Sequence, residues 1–521
     1  MGGILGLRER LRERRTGARA GSGVRVLTGV LTGVLLACAA GTGCRGTRSE
    51  DPRAASLLLI TVDTLRADHL GAYGYPRAAT PHIDRLAQES VVFEHAYCAI
   101  PKTNPSLASL MTGLYPQSHG ILELAVALPD AHDTLAERLA AAGYEAAGVV
   151  GQYNLVRRLG FAQGFDTYVD DFPPVPPGGD ILGVFTPWAE KRAEAVADAA
   201  LAWLEEPRDA PFFLWVHFMD PHAAYDPPPD WAPPAGPDSD YPATPLAPEE
   251  IFKQAYVPDE RSLSYYLRHY DAEIRYLDDQ VGRLLDALAR RADGDDTWVV
   301  FTADHGEYMG DRDWPAFASP DGSERVRVPH FHHGATVSDG ETRVPLLVRP
   351  PARAADAVAP RRVDEVVSLV DVLPTLIEVL GLPAADVDGR SFADLLSGGE
   401  PAEARVAILY AHESNAVALR TRDWKLVAHP EGSLADYFRG RRAPPAGGGL
   451  FLYAEETLDE GVNHVTAEPE ARNAMLQRLF STLETLRTRR LQRGVEPDAA
   501  AEDDEALRAR LRALGYVEDD G

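Results

Sequence analysis

Five short, continuous apolar runs constrain the fold of this chain more than any other feature. They lie at residues 56–63, 146–150, 212–218, 297–302 and 344–348. Runs without alternation are typical of strands that are buried on both faces of a parallel sheet. Between them, residues 265–292 repeat apolar side chains at three- and four-residue steps, which predicts a long amphipathic helix. The alternation predicts an α/β fold with a mostly parallel central sheet flanked by helices.

Polar residues cluster where three of the predicted strands end. Asp63 closes the first run, Asp220 and His222 follow the third, and Asp304 and His305 follow the fourth. A single aspartate at a strand end is often a helix cap or part of an ion pair. Three clusters from distant segments favour one convergent site, because ligands bind outside the carboxyl ends of strands in open α/β sheets. Carboxylates and an imidazole at such an edge would suit a divalent cation.

The pattern changes after residue 400. Short apolar stretches at 406–410, 417–420, 424–428 and 450–453 predict a small antiparallel sheet. We therefore expect a catalytic α/β domain at 54–400, a C-terminal subdomain at 401–470, and a helical and acidic tail at 471–521 with a short helix at 504–514. Residues 170–187 and 225–258 are rich in Pro, Asp and Gly and predict long surface loops, which either cover the site or are ordinary solvated excursions.

The first 46 residues resemble an export leader. Residues 1–25 carry seven Arg and two Glu, and the apolar run at 26–37 precedes small residues and Cys38. "LLAC" is typical of a lipoprotein processing site at Cys38, and Cys44 is an alternative. Plain secretion and an uncleaved anchor are left open. We expect an exported protein, periplasmic or on the cell surface, with a lipid anchor to the membrane as one alternative. Cys98 is the only cysteine after the leader, so no disulfide is expected in the body of the protein.

The charge of the chain excludes one class of partner. Its 521 residues carry a formal net charge of −27, and the pI is near 5.0. Nucleic-acid binding requires a basic surface, so no nucleic-acid partner is expected.

Several motifs together resemble the sulfatase family of the alkaline phosphatase superfamily. They occur in the expected order: "ITVDTLRADHLGAYGY", "ATPHIDRLAQESVVFEHAY", "NPSLASLMTGLYPQSHGI", "HFMDPHAAYDPP", "FTADHGEYMGD" and "LVDVLPTLIEVLGL". The later "ALRTRDWKLVAHP" and "LFLYAEETLDEGVNH" resemble its C-terminal subdomain. The resemblance covers residues 56–463 and implies an alkaline-phosphatase-like fold.

The family register places Thr103 at the nucleophile position. Sulfatases carry Cys/Ser-x-Pro-x-Arg ahead of a Met/Leu-Thr-Gly segment, and here that segment begins at Met111. Counting back eight residues gives Thr103, with Pro105 at the expected position. Cys98 lies five residues too early and is interpreted as a small buried or half-buried hydrophobe. Threonine cannot become formylglycine, so none is expected, and Leu107 replaces the usual Arg.

The resemblance also implies a metal site and an ester substrate. Asp63, Thr103, Asp304 and His305 match its metal ligands, in a set that looks more like phosphonate or phosphodiester hydrolases and lipoteichoic acid synthases of the same superfamily. One divalent cation (Ca, Mn or Zn) is expected, and a second is left open. Coordination would activate the Thr103 hydroxyl as the nucleophile. The expected partner is an anionic ester of a glycan, a lipid headgroup or a small molecule.

Histidines and one lysine complete the predicted site. His222 and His333 resemble the family residues that hold the anion and protonate the leaving group. His217 and Lys102 are expected to assist substrate binding, with a core histidine and a solvated lysine as the alternatives. His332, like the neighbouring His330, is either a loop histidine or a ligand of a second cation.

Three functions are compatible with these residues. The leading hypothesis is an exported metal-dependent hydrolase of sulfate or phosphate/phosphonate esters. The first alternative is a cell-envelope transferase of the phosphoglycerol or phosphoethanolamine type. The second is a degenerate family member that binds an anion without catalysis, to which Leu107 and Thr64, at positions of expected family residues, give weight.

Overall fold

The strand at the centre of the main sheet is β1, Ser56–Val62, and all seven of its residues are buried. The structure, a computed structural model, describes residues 54–494 except 125, 173–189, 235–239, 253–254, 311–316, 319–324, 327–329, 402, 430–448 and 455–462. The sequence of β1, SLLLITV, has no polar alternation, which is expected for a strand with both faces covered.

The described part of the first 370 residues contains ten further strands. They are β2 (Val91–Tyr97), β3 (Glu145–Val150), β4 (Thr167–Val169), β5 (Phe212–Phe218), β6 (Thr297–Ala303), β7 (Phe317–Ala318), β8 (Arg325–Val326), β9 (Arg343–Val344), β10 (Leu346–Arg349) and β11 (Arg361–Ser368). The main sheet has the order β11-β2-β10-β6-β1-β5-β3-β4, with β9 paired to β2. β7 and β8 form a separate two-stranded ribbon.

The carboxyl ends of four adjacent strands meet at one edge of this sheet. β1 pairs in parallel with β5 on one side and with β6 on the other, and β3 is parallel to β5. The predicted mostly parallel sheet is therefore confirmed, and the polar clusters after the first, third and fourth apolar runs lie at the same edge.

The fifth apolar run departs from the prediction. Residues 344–348 form two short strands, β9 and β10, on either side of Pro345, which has no amide hydrogen for a ladder. β10 runs antiparallel to both β6 and β2. The prediction of another parallel strand was wrong because a fully buried strand has the same apolar pattern in either direction.

Most of the described helices lie between strands of the main sheet, whereas the last one, α10, belongs to the C-terminal region. They are α1 (Pro81–Gln88), α2 (Thr103–Thr112), α3 (Pro116–His119), α4 (Leu135–Ala141), α5 (Ala193–Leu204), α6 (Leu263–Arg290), α7 (Asp339–Thr342), α8 (Val372–Val379), α9 (Ala393–Leu396) and α10 (Pro469–Arg493). α6 is the predicted long helix, and its buried face includes Leu267, Ile274, Leu277 and Leu284. The stripe packs on the sheet because these residues recur on one side of the helix.

A separate antiparallel sheet follows, as predicted. Its strands, in spatial and chain order, are β12 (Ala407–Ala411), β13 (Ala416–Arg420), β14 (Trp424–His429) and β15 (Gly449–Ala454). Its core is continued by Met475, Leu479, Leu483 and Leu486 of α10, and by Ala99 and Ile100 from the segment after β2. The C-terminal sheet therefore packs on the segment that leads to Thr103.

Some predictions fall on residues that the structure does not describe. They are the leader at 1–46 with Cys38 and Cys44, most of the loop at 170–187, and the helix at 504–514. In the described parts of 225–258, a single 3₁₀ turn, Pro248–Glu250, interrupts an otherwise irregular path. A search of the described helices found none that is long and apolar enough to cross a bilayer.

Candidate active site

Three buried side chains face one another at the carboxyl edge of the main sheet. Asp63 follows β1, His217 lies in β5, Asp304 follows β6, and all three are fully buried. One ligand atom from each lies within 4.8 Å of the others. The Asp63 amide donates to the Phe218 carbonyl (2.9 Å) and the Asp304 amide to the Val62 carbonyl (3.1 Å), which keeps the strand ends in register. The sheet thus brings together two carboxylates and an imidazole.

The same three side chains fit a divalent cation. Asp63 Oδ1, His217 Nε2 and Asp304 Oδ2 are buried and have no hydrogen-bond partner within the protein. An unsatisfied buried polar atom costs about 1–3 kcal/mol, so three at one point require an explanation. Carboxylate oxygens and imidazole nitrogens are common ligands of divalent cations, and such an ion would satisfy all three atoms.

The hydrogen bonds of His217 suit this role. Its Nδ1 lies 2.9 Å from Thr61 Oγ1, which also accepts a hydrogen bond from Trp215 Nε1 at 2.9 Å. A hydroxyl oxygen can accept from both rings, and the tautomer with Nδ1–H donating leaves the Nε2 lone pair available. His217 was predicted to bind substrate, with a core histidine as the alternative. The structure places it in the strand core and also among the candidate metal ligands.

Burial changes the protonation of this group strongly. Desolvation raises the pKa of Asp63 to about 7, and desolvation together with the nearby Asp63 raises the pKa of Asp304 well above its usual range. Desolvation lowers the pKa of His217 to about 4, so its imidazole is neutral at pH 7. Two adjacent carboxylates ionise together only with a positive partner, which a divalent cation provides.

Thr103 faces the same group from the N-terminus of α2. Its side chain is buried, and Oγ1 lies 3.5 Å from Asp63 Oδ2 and 3.5 Å from His305 Nε2. His305 also places Nε2 3.4 Å from Asp304 Oδ2, while its Nδ1 lies 2.9 Å from the Gly306 carbonyl. With Nδ1–H donating to that carbonyl, the Nε2 lone pair faces the hydroxyl and the carboxylates. The four predicted metal ligands therefore lie together.

His222 and His333 lie beside His305. The ring centroids of His333 and His305 are 4.5 Å apart, and those of His333 and His222 are 5.2 Å apart. His222 Nδ1 lies 2.7 Å from the Ala223 carbonyl, and His333 Nδ1 lies 3.2 Å from Glu307 Oε1. Each histidine thus has a partner for Nδ1, which favours the tautomer with an unprotonated Nε2 when the ring is neutral.

Lys102 and His332 lie at the rim of the site. The Lys102 ammonium is 3.0 Å from Glu413 Oε1, and His332 Nε2 is 3.7 Å from Glu413 Oε2. Phe252, from the second predicted loop, contacts the His332 ring with centroids 4.3 Å apart. Lys102 is therefore not a solvated lysine. Among the described residues, the one group of at least three acidic, histidine or cysteine side chains close enough to hold a metal ion is Asp63, His217 and Asp304, and it includes none of His305, His330 and His332.

Some further buried polar residues had no predicted role. Glu307 is fully buried, and Tyr225 donates to its Oε2 at 3.2 Å. Asn104, Gln152 and Asn154 are also buried, and each keeps at least one side-chain atom without a partner. Gln152 and Asn154 follow β3, so the strand-end signal that indicated Asp63 could have indicated them too. Glu413 gives no such signal, because it comes from the C-terminal sheet.

Cys98 lies outside this group. It is a free, buried thiol in the main hydrophobic core, 3.8 Å from the Glu341 carbonyl. Burial raises the pKa of the thiol well above its usual range, so a reactive thiolate is not favoured. Its interpretation as a small buried hydrophobe agrees with these observations.

A comparison with protein families decides what kind of enzyme this site belongs to. The family model described as "Sulfatase" matches residues 56–382, which is more than half of the chain. The chain belongs to the sulfatase family. It is therefore a hydrolase of the alkaline phosphatase superfamily, in a family that depends on metal.

Individual relatives of this sulfatase-family protein are distant in sequence. An arylsulfatase of Clostridium perfringens is 26% identical over 395 residues, which cover 66% of this chain and 78% of the relative. The phosphonate monoester hydrolase of Agrobacterium radiobacter superposes with a TM-score of 0.63 at 23% identity, over 83% of this chain and 96% of that structure. BT4656, solved with D-glucosamine-2-N,6-O-disulfate, superposes with a TM-score of 0.63 at 18% identity, over 84% of this chain and 99% of that structure. At these identities the two structures establish the shared fold.

Proposed function

We propose that this protein is an exported, metal-dependent hydrolase of sulfate or phosphate/phosphonate esters that uses Thr103 as its nucleophile. The observation that carries the proposal is the position of Thr103 Oγ1, 3.5 Å from both Asp63 Oδ2 and His305 Nε2 at the candidate metal group. Phosphorus esters are favoured over sulfate esters because threonine takes the place of the Cys or Ser that sulfatases convert to formylglycine. An anionic ester also agrees with the substrate named for one structural neighbour, a disulfated glucosamine.

The residues suit a two-step displacement. A bound divalent cation would lower the pKa of the Thr103 hydroxyl and offset negative charge on the substrate. The Thr103 hydroxyl loses its proton to solvent, its oxygen attacks phosphorus, a new Oγ–P bond forms, and the bond from phosphorus to the leaving oxygen breaks. The buried side-chain amide of Asn154 is suited to hold one of the remaining oxygens, since its Nδ2 is an unpartnered donor.

Protons for the leaving group come from the histidines. His222 and His333 each have Nδ1 beside an acceptor, and a protonated Nε2 would donate to the departing alkoxide. Water then attacks phosphorus and gives a proton to the histidine left neutral by the first step, the Oγ–P bond breaks, and the departing Thr103 oxygen takes a proton from solvent to restore the hydroxyl. Neither step needs an oxidant or a further cofactor.

Substitution of Thr103 tests the proposal. Purified native protein with added Mn²⁺ is assayed on paired aryl sulfate, phosphate monoester, phosphate diester and phosphonate monoester substrates. Thr103→Ala should lower kcat by at least about 10³-fold on the preferred ester, because the nucleophile is lost. Thr103→Ser keeps a hydroxyl and is the matched control, so it should retain measurable activity and form a phosphorylated or sulfated residue that mass spectrometry locates at position 103.

Three outcomes would count against the proposal. Activity in Thr103→Ala comparable with that of the native protein would exclude Thr103 as the nucleophile. Absence of activity on every ester, with no divalent ion retained after gentle purification, would favour an anion-binding family member. Adducts of a lipid headgroup with an added acceptor would indicate a transferase.

Export rests on the first 46 residues. Seven arginines precede an apolar run and Cys38, the order of an export leader. Fractionation of cells that express the full chain should place it outside the cytoplasm, and Cys38→Ala should abolish incorporation of a labelled fatty acid if Cys38 is the lipidated residue. Cytoplasmic recovery of the full-length chain would contradict export.

A further inference from the structure

A turn of the C-terminal sheet reaches the predicted nucleophile segment. Residues 412–415 connect β12 to β13, and the Tyr410 amide donates to the Ala99 carbonyl at 2.8 Å. The turn is held at its start, where His412 contacts Tyr410 Oη (3.1 Å) and Glu123 Oε1 (2.8 Å). Glu413 follows directly, so its carboxylate is delivered to a fixed place at the rim of the site.

The Glu413 carboxylate is placed between two site residues. Oε1 is 3.0 Å from the Lys102 ammonium, and Oε2 is 3.7 Å from His332 Nε2. Only 12% of the Lys102 side chain is exposed, against 40% of Glu413. The ammonium is therefore largely shielded from water, and the carboxylate can be reached by a substrate in the site.

The absence of a side chain at Gly334 leaves room for this ion pair. A Cβ at position 334 would lie 2.5 Å from Lys102 Cε and 3.1 Å from Glu413 Oε1, and the residue has a φ of +95°. The lysine stem thus crosses the backbone directly after His333. Glu341 Oε2 accepts from the Gly334 amide at 2.9 Å and anchors this loop. The Lys102 charge is consequently held next to the histidines of the site.

The net charge of the site then depends on Glu413. The two carboxylates of Asp63 and Asp304 balance the charge of one divalent cation, and Glu413 balances Lys102. Glu307 Oε1, 3.2 Å from His333 Nδ1, balances the proton that this histidine carries when it acts as the acid. The buried amides are uncharged. At neutral pH a phosphate monoester carries nearly two negative charges, whereas phosphate diesters, phosphonate monoesters and sulfate esters carry one. A site without excess positive charge discriminates against the dianion.

We propose that Glu413 is a specificity-determining residue that neutralises Lys102 and so selects singly charged esters over doubly charged phosphate monoesters. The inference rests on the proposed function, since it concerns the charge of the ester cleaved at that site. Glu413 acts through Lys102 and needs no contact with the reacting atoms.

Glu413→Gln tests the inference. Glutamine keeps the size and an oxygen acceptor but removes the charge, so Lys102 would add a net positive charge beside the substrate. The ratio of kcat/KM for a phosphate monoester to kcat/KM for the matching diester should rise about tenfold at low salt and less at high salt. Glu123→Gln, which removes the other carboxylate bound to this turn, is the matched control and should leave the ratio unchanged.

A double variant tests whether Glu413 acts on the ratio through Lys102. In a Lys102→Met background, Glu413→Gln should no longer change the ratio. An unchanged ratio in Glu413→Gln, or the same rise with Met at position 102, would overturn the inference while leaving ester hydrolysis intact. A purely structural role of Glu413 would lower the Tm without changing the ratio.

A binding measurement keeps the inference testable without turnover. For Mn²⁺-loaded protein, calorimetry compares inorganic sulfate, a dianion, with dimethyl phosphate, a monoanion. Glu413→Gln should tighten sulfate binding about tenfold relative to dimethyl phosphate. Equal effects on both anions would overturn the inference, whereas absence of hydrolysis by the native protein would count only against the proposed function.

Discussion

Glu307 determines how His333 can be used as an acid. Its Oε1 lies 3.2 Å from His333 Nδ1, and both its carboxylate oxygens have partners in a fully buried position. Burial lowers the pKa of His333 well below its usual range, and a carboxylate at Nδ1 fixes the tautomer and favours the protonated ring against that effect. Glu307→Gln should therefore lower kcat about 10- to 100-fold for esters with alkyl leaving groups, and much less for 4-nitrophenyl esters, whose leaving group needs no proton.

The dependence of kcat on the leaving group distinguishes a role of Glu307 in positioning His333 from a role in folding. Tyr225→Phe removes the other hydrogen bond of the same carboxylate and should affect both classes of ester equally and weakly. An equal loss for alkyl and 4-nitrophenyl esters in Glu307→Gln would show that Glu307 only supports the structure. Steady-state kinetics with one ester series measures both variants.

Residues of the site differ in how far sequence could reveal them. Asp63, Asp304 and His305 follow apolar strands, and strand order alone brings such ends together. Glu307 lies in the same motif as His305, but its partner His333 is distant in sequence. Glu413 depends on the packing of one sheet against another, which local patterns do not encode.

The element that most supports the C-terminal sheet is α10. Leu479 is 0% exposed and packs in the core that this helix shares with β12–β15, whereas the adjacent Phe480 is 41% exposed. Leu479→Ala should lower the free energy of unfolding by about 2–5 kcal/mol, because it leaves a cavity. Phe480→Ala, on the outer face of the same helix, should change it by less than about 0.5 kcal/mol. Urea titration followed by tryptophan fluorescence compares the two.

A larger effect of Phe480→Ala would mean that α10 presents its other face to the protein.

The sequence predicted a helical tail from residue 471, and the structure has α10 at Pro469–Arg493. Period-3.6 patterns are visible without tertiary information. The antiparallel direction of β10 and the break before it at Pro345 could not be predicted in this way. A strand buried on both faces lacks the alternation of polar and apolar residues that would distinguish an antiparallel strand from a parallel one.

The stability of the whole molecule should depend on pH through the candidate metal group. In metal-free protein, burial raises the pKa of Asp63 from 3.8 to about 7. Between these values the folded state keeps a proton that the unfolded state has lost, so stability falls as pH rises through this window. Asp63→Asn lacks that proton. At pH 8 in chelator its Tm should exceed that of the native protein by about 5 °C, with a small difference at pH 4.

His217 contributes to the pH dependence with the opposite sign. Because its pKa is lowered from 6.5 to about 4, the folded state loses stability as pH falls from 6.5 toward 4, so this contribution does not affect the comparison at pH 8. Added Mn²⁺ should raise the Tm of the native protein at pH 8 but hardly that of Asp63→Asn. Differential scanning fluorimetry measures each condition. A metal-free native protein more stable than Asp63→Asn at pH 8 would indicate that Asp63 has a positive partner within the protein.

The turn at residues 412–415 has a consequence for how proteins of this architecture diversify. The groups suited to catalysis are fixed by strand ends that few substitutions can alter without loss of the fold, whereas the turn is short, lies at the rim and is joined to the site through one carboxylate. Chemistry and charge preference are thus encoded in separate stretches of the gene. On the proposed role of Glu413, a change within this turn would alter which esters are accepted while the reaction itself stays the same.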